Sequence, residues 1–270
     1  MKNEETQRFG ALVEGLEVCE ADYFANTAGT APPVRAYVIF FSARSGSTWL
    51  TSVLSATERL GFPDEYLNPA FIREVAEFLN ATEPGRFLEA LRRRRQTENG
   101  VFGMETRAVD VGLFGEAAFF AAFGPETVFF YLWRENIVAQ AISLYRAVAT
   151  GRYHSTDEAG AAAPDYDDEA ILEWMAHLAE QENDNLRMLR RHGRAFEVLR
   201  YETMVRDREG TVAGIGRALG VSAEIGARPE PGEMRKIGDE WNAAAERRLR
   251  AERGAEIARI EAGRLARLAG

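Results

Sequence analysis

Residues 36–41, Ala-Tyr-Val-Ile-Phe-Phe, form an unbroken apolar run rich in β-formers. A strand with no polar face suits a parallel sheet covered on both sides, so helices are expected around it. One follows directly: from Thr48 the positions Leu50, Val53 and Leu54 recur at helical spacing, after the turn-prone segment 42–47. The same unit recurs at 127–133, Thr-Val-Phe-Phe-Tyr-Leu-Trp, which runs into a second helix. There Val138, Ile142, Tyr145 and Val148 or Ala149 share one stripe, with Gln140, Ser143 and Arg146 off it. Residues 196–201 read as a third buried strand. Alternation of this kind predicts an α/β fold, a parallel sheet with helices on both faces, in one domain over 36–270. Residues 1–35 stand before it as an extension packing on or near the domain. Ligands are expected at the carboxyl ends of the strands. Segment 155–169 mixes Gly, Ala, Pro and acids without period and reads as a mobile loop beside the second helix. From Trp241 onward, Ala, Glu, Arg and Leu at helical spacing read as a surface helix whose charges solvate it. Arginines 92–95 read the same way.

Composition narrows the function classes. At 270 residues and 46% hydrophobic content, the chain can bury about 75% of its unfolded surface without staples. Cys19 is the one cysteine, so no intrachain disulfide forms, and three scattered histidines make a zinc cage a poor expectation. The longest apolar blocks, 117–123 and 128–133, fall far short of the ~20 residues that span a bilayer. The first twenty residues carry Glu4, Glu5, Glu14, Glu17 and Glu20 with no basic flank and apolar core, which is not a secretory pattern. A cytoplasmic location is therefore expected, with no integral membrane association. A net charge of −9 argues against nucleic acid or an anionic membrane as partner, while leaving room for one phosphorylated ligand.

The most informative stretch is Ser42-Ala43-Arg44-Ser45-Gly46-Ser47-Thr48, between a buried strand and a helix. A small-residue loop at a helix N-terminus presents unpaired backbone N–H groups and the positive end of the helix dipole, which together favour a phosphate. Arg44 adds charge; Ser47 and Thr48 add hydroxyl donors. The plainer alternative is that Ser47 or Thr48 caps the helix. A Walker A loop needs Lys before its Ser or Thr, and Gly46-Ser47-Thr48 has Ser there. A P-loop kinase or NTPase is thus disfavoured, though it stays in view beside a non-catalytic nucleotide-binding protein.

These residues resemble the bacterial carbohydrate sulfotransferases typified by trehalose 2-sulfotransferase, which use 3′-phosphoadenosine-5′-phosphosulfate (PAPS). The family's Arg-Ser-Gly-Ser-Thr loop, which binds the 5′-phosphosulfate, is matched by Arg44-Ser45-Gly46-Ser47-Thr48, with Trp49 next to it. Its Pro-x-Glu-aromatic turn is matched by Pro63-Asp64-Glu65-Tyr66. Its Arg with Ser nine residues on, which holds the 3′-phosphate, is matched by Arg134 and Ser143. Two later segments are similar to the wider sulfotransferase superfamily. Tyr201-Glu202-Thr203-Met204 resembles a segment whose Tyr lies near the adenine, and Met234 to Trp241 resembles a loop whose Arg and Lys, here Arg235 and Lys236, close over the 3′-phosphate. Solvated charges flanking a helix are the alternative for that last pair. An arginine just past a buried strand can grip phosphate through two parallel hydrogen bonds, with Ser143 donating a third.

The resemblance implies in-line sulfuryl transfer from PAPS to a hydroxyl of a carbohydrate, glycolipid or other small hydroxylated metabolite, with adenosine 3′,5′-bisphosphate (PAP) as product and no metal. Arg44 and the loop amides would take up leaving-group charge. Glu65 occupies the family's general-base position; Asp64 beside it and His154 are the other candidates, and a surface turn is the plain alternative. Relatives carry a Lys where Asn99-Gly100-Val101-Phe102-Gly103-Met104-Glu105 places Glu105. That reversal of charge puts trehalose in doubt as the acceptor. Glu105 is left to bind acceptor hydroxyls or to pair with Arg107. The resemblance further implies a homodimer, for which the sequence singles out no surface.

Overall fold

A computed structural model describes residues 8–151, 163–224 and 239–269. Four strands, β1 (Arg35–Phe40), β2 (Val101–Thr106), β3 (Val128–Trp133) and β4 (Phe196–Arg200), form one parallel sheet in the order β2-β1-β3-β4. The expected parallel α/β sheet with helices on both faces is the observed architecture. The apolar runs of β1 and β3 occupy its middle, while β4, with half-exposed positions, lies at one edge.

Side chains of a strand alternate between faces, and β1 shows the result. Val38 and Phe40 join a large cluster with Phe87, Phe114 and Phe119 on one face. Tyr37 and Ile39 join Leu50, Leu54, Val212 and Ile215 on the other. The first cluster lies under α1 (Glu20–Thr27), α3 (Ile72–Leu79), α4 (Pro84–Arg94), α5 (Ala108–Phe114) and α6 (Glu116–Ala122). Phe9 and Tyr23, ahead of β1, are buried in it. The second is closed by α2 (Ser47–Ala56), α9 (Tyr201–Arg206) and α10 (Arg208–Leu219). A third, helical core joins α7 (Ile137–Thr150), α8 (Asp168–Arg191), α11 (Glu240–Glu252) and α12 (Gly254–Ala269).

Three expectations are corrected. The loop expected over 155–169 ends early: α8 begins at Asp168, where the Asp167 carboxylate accepts the Ala170 N–H, a charged N-cap of the sort that starts helices. Residues 155–162, and His154 before them, lie outside the described residues. The C-terminal helix is two helices parted at Arg253, and α12 is not merely solvated, because Arg264 is buried against α8 with its charge met by Glu182. Arginines 92–95 are likewise anchors. Arg92 donates to the Ala122 carbonyl at 2.8 Å, Arg93 to the Thr30 carbonyl, and Arg95 to the Tyr66 hydroxyl at 2.7 Å, while Arg94 lies over the Phe78 ring. Long aliphatic stems let guanidinium groups reach main-chain carbonyls across apolar surface.

An outer strand leaves unpaired main-chain groups, and on the β2 side these meet the segment between α2 and α3. The Glu105 N–H donates to the Asp64 carbonyl at 3.1 Å. Gly61, at φ 76°, approaches so closely that a Cβ there would sit 2.6 Å from the Gly103 nitrogen. That approach lays the Pro63-Asp64-Glu65 turn along the carboxyl end of the sheet.

Candidate anion-binding and catalytic site

The loop after β1 leads into α2 with a left-handed N-cap at Gly46 and no side-chain cap. Capping by Ser47 or Thr48 is thereby ruled out, and the first amides of α2 face outward without intrahelical partners. Arg44 takes a positive φ of 62° and Gly46 one of 90°, a curl that turns successive N–H groups to one side, as anion-binding nests do. A Cβ on Gly46 would lie 2.6 Å from Cδ2 of the Tyr201 ring, so glycine is required both by φ and by contact. Ser45 is buried and its Oγ has no hydrogen-bond partner among the described residues. Thr48 is exposed, and Trp49 packs partly buried on the α2 face of the sheet.

Arg134, one residue past β3, closes over this loop. Its Nη1 donates to the Arg44 carbonyl at 3.0 Å and its guanidinium carbon lies 4.5 Å from the Tyr201 ring centroid. Its Nε is buried without a partner among the described residues. Burial lowers its pKa, opposed by Tyr201, Glu202 and Glu246, yet an arginine stays charged in proteins. Arg44 in turn donates from Nε to Ser143 Oγ at 3.1 Å. Arg44, Gly46, Arg134, Ser143 and Tyr201 therefore form one constellation at the carboxyl ends of the two central strands. Arg235 and Lys236 lie outside the described residues.

The turn carrying Arg134 is held from several elements. Glu202 of α9 accepts the Glu135 and Asn136 N–H groups at 3.0 and 3.2 Å. Asn136 caps α7 through the Ala139 N–H and donates to Glu246. Arg264 of α12 donates to the Arg134 and Glu135 carbonyls at 2.7 and 3.1 Å and is paired with Glu182 at 2.7 and 2.8 Å. Sequence patterns gave no signal for Arg264, which sits in an Arg-rich helix far along the chain. Gln140 was placed off the buried stripe of α7, but it is fully buried and donates to Ser42 Oγ at 2.9 Å and the Ala43 carbonyl at 2.7 Å. Val148, placed on that stripe, is exposed.

The carboxylates lie on the β2 side. Glu65 is half-buried and its Oε2 accepts from Asn68 Nδ2 at 2.9 Å. Burial raises its pKa, with Asp110 and Asp64 adding to the effect and Asn68 and Arg107 opposing it. A carboxyl poised in this way is fitted to take up a proton. Arg107 does not hydrogen-bond Glu105; its guanidinium is engaged by both Asp110 oxygens at 2.7 and 2.9 Å. Glu105 is 2% exposed, and its Oε2 has no hydrogen-bond partner among the described residues. No group of three or more His, Cys, Asp or Glu residues placed to hold a metal occurs among the described residues, and no helix among them is long and apolar enough to cross a membrane.

Comparison with known proteins agrees in kind. A family model described as Stf0 sulphotransferase matches residues 36–252. Trehalose 2-sulfotransferase of Mycobacterium tuberculosis is 28% identical over 251 residues, covering 77% of this chain and 93% of that protein. Among solved structures, the sulfotransferase domain of the Synechococcus PCC 7002 olefin synthase has a TM-score of 0.47 at 15% identity, over 83% of this chain and 90% of that one. A mouse sulfotransferase complexed with PAP has a TM-score of 0.41 at 11% identity, over 85% of this chain and 70% of that one.

Proposed function

The chain belongs to the Stf0 sulphotransferase family, and we propose that it transfers the sulfuryl group of PAPS to a hydroxyl of a carbohydrate, glycolipid or other small hydroxylated metabolite. The observation that carries this reading is the convergence of two cationic anion-binding elements, the Arg44 loop and the Arg134–Ser143 pair, across one hydrogen bond of 3.1 Å. A nucleotide phosphorylated at both 3′ and 5′ positions needs two such elements side by side. The donor set fits such a ligand: Ser45 Oγ and Arg134 Nε are buried donors without partners among the described residues.

In this reading the loop amides, Arg44, Ser45, Ser47 and Thr48 hold the 5′-phosphosulfate. Arg134 and Ser143 hold the 3′-phosphate, and Tyr201 lies against the nucleoside. Trp49 supports the loop from behind, and Arg235 and Lys236 remain candidates for the 3′-phosphate. The acceptor oxygen attacks sulfur as the bond from sulfur to the 5′-phosphate oxygen breaks. Glu65 takes the acceptor's proton, and Arg44 with the loop amides meets the charge that builds on the departing phosphate. Sulfuryl transfer by these groups calls for no metal. A homodimer and a cytoplasmic location remain part of the proposal.

Calorimetry with PAP, ADP and ATP, with and without magnesium, tests the donor half. PAP is expected to bind without magnesium and tighter than either of the others; magnesium-dependent preference for ATP would replace this reading with the kinase one. Labelled PAPS offered to a panel of sugars, glycolipids and hydroxylated metabolites tests the acceptor half. Transfer to none of them, with PAP bound, would favour a nucleotide-binding protein without activity.

A further inference from the structure

β1 and β2 run side by side as far as the bond from the Phe41 N–H to the Thr106 carbonyl at 3.2 Å. Beyond it the chains part, one into the 42–48 loop and the other into α5, and no main-chain hydrogen bond joins those two segments among the described residues. The side-chain amide of Asn185, 1% exposed, fills the gap. Its Nδ2 donates to the Phe41 carbonyl at 2.8 Å, and its Oδ1 accepts the Ala108 N–H at 2.7 Å. The partners fix the orientation of the amide, since a carbonyl only accepts and an N–H only donates. An amide supplies both functions here without a charge to desolvate. Toward α5 it is a cap supplied from a distance: the N-cap residue Arg107 makes no side-chain cap, so the Ala108 N–H depends on Asn185.

Each end of this amide leads to one half of the site. Phe41 stands three residues before Arg44. Ala108 stands three residues after Glu105, whose N–H holds the Asp64 carbonyl at 3.1 Å and with it the Glu65 turn. Asn185 projects from α8, a 24-residue helix seated in one core through Leu186 and Leu189 and in another through Met175 and Leu178. The loop has holds of its own as well: the Ala43 N–H donates to Gln181 Oε1 at 3.2 Å, and Gln140 donates to the Ala43 carbonyl at 2.7 Å. We propose that Asn185 is a positioning residue that fixes the spacing between the anion loop and the Glu65 turn, an inference that rests on the reading of that loop as the phosphosulfate site and of Glu65 as the base. Without Asn185 each half keeps its form, Ala43 being held on both sides, but the two are free to shift against each other. In-line transfer is sensitive to such a shift. Nucleotide binding, made on the loop side, is not.

Two variants, checked for folding by thermal melts, test this. Asn185→Leu is close in volume and has neither hydrogen-bonding function. It is expected to bind PAP within about 3-fold of wild type by calorimetry, and to transfer label from saturating PAPS to a panel acceptor about 10- to 100-fold more slowly, with little change in acceptor KM. An unchanged kcat, or a loss of PAP affinity as large as the loss of kcat, overturns the proposal. Asn185→Asp keeps an acceptor for the Ala108 N–H, but its carboxylate opposes the Phe41 carbonyl until a proton restores the donor. Its rate relative to wild type is expected to rise as pH falls from 8.5 to 5.5; a variant equally slow throughout overturns the proposal, and decides it should Asn185→Leu not fold. Hydrogen exchange with and without PAP tests the link apart from the chemistry. PAP is expected to slow exchange at 42–48 and 105–111 in wild type, and at 42–48 alone in Asn185→Leu. Equal slowing of 105–111 in both, or none in a wild type that binds PAP, overturns the link. A folded wild type that binds no PAP sinks the nucleotide reading instead. Ligand-free exchange at Ala108 then still decides the link, faster in Asn185→Leu supporting it and equal exchange overturning it.

Discussion

Arg134 and Arg44 are joined through the main chain: the guanidinium of one donates to the carbonyl oxygen of the other at 3.0 Å. With Arg44 also donating to Ser143 at 3.1 Å, the loop after β1 and the turn after β3 behave as one unit. Each side chain in this unit fixes another's position as well as offering donors of its own.

Truncating either end of that unit should weaken the nucleotide. Charge-assisted hydrogen bonds contribute about 1.5–3 kcal/mol each, so Arg134→Ala is expected to weaken PAP binding about 10- to 100-fold. Ser143→Ala removes one neutral donor and should cost several-fold. Calorimetry with PAP reads both, and unchanged affinity in Arg134→Ala would remove it from the 3′-phosphate site.

Glu65→Gln should lower kcat by about 10²- to 10⁴-fold, the usual contribution of a positioned base, while PAP affinity stays within about 2-fold. The base works only when ionised. Because burial raises the Glu65 pKa, wild-type turnover should fall as pH drops through a value above that of an exposed glutamate, and the residual activity of the variant should lack this acid limb. A rate profile from pH 4 to 8 on both proteins checks it.

Gly46→Ala would force a side chain onto a backbone at φ 90° and against the Tyr201 ring. Each strained residue of this sort costs about 1–3 kcal/mol. Urea unfolding should show that loss together with weakened PAP binding. Adding Tyr201→Ala should relieve the contact but not the φ strain, so stability should return only in part.

Arg264→Ala strands the Glu182 carboxylate in the interior, and breaking a buried pair in this way costs about 3–5 kcal/mol. Arg264→Met combined with Glu182→Leu should restore most of the stability in denaturant. PAP affinity should not recover with it, because the Arg134 and Glu135 carbonyls would still lack the donors that hold them. Full recovery of both would make Arg264 structural only.

The sheet and the loop were legible because their signals are local. Residues 36–41 and 127–133 are unbroken apolar runs, and the small-residue stretch between the first run and Leu50 leaves few alternatives to a strand, a turn and a helix. Arg134 and Ser143 were singled out by the resemblance, through the family's Arg with Ser nine residues on, and the structure sets both against Arg44. What escaped is what depends on distant partners. Helical period assigned Gln140 to the outside, because periodicity separates polar from apolar faces but not solvent from a polar loop, and the partners Ser42 and Ala43 lie about a hundred residues away in the chain. Arg264 looks like any other arginine of a charged helix, and what distinguishes it are partners far back in the chain, Glu182 and the Arg134 and Glu135 carbonyls. Asn185, buried between the Phe41 carbonyl and the Ala108 N–H, escaped for the same reason.

The turn bearing Glu65 borders the sheet at β2, whereas the loops proposed to bind phosphate spring from β1 and β3 at its centre. Tinkering at the centre disturbs many interlocked partners at once; tinkering along the border leaves them standing. Under the proposed function, substitutions along that border change which acceptor is met while the loops that take the donor nucleotide stay as they are.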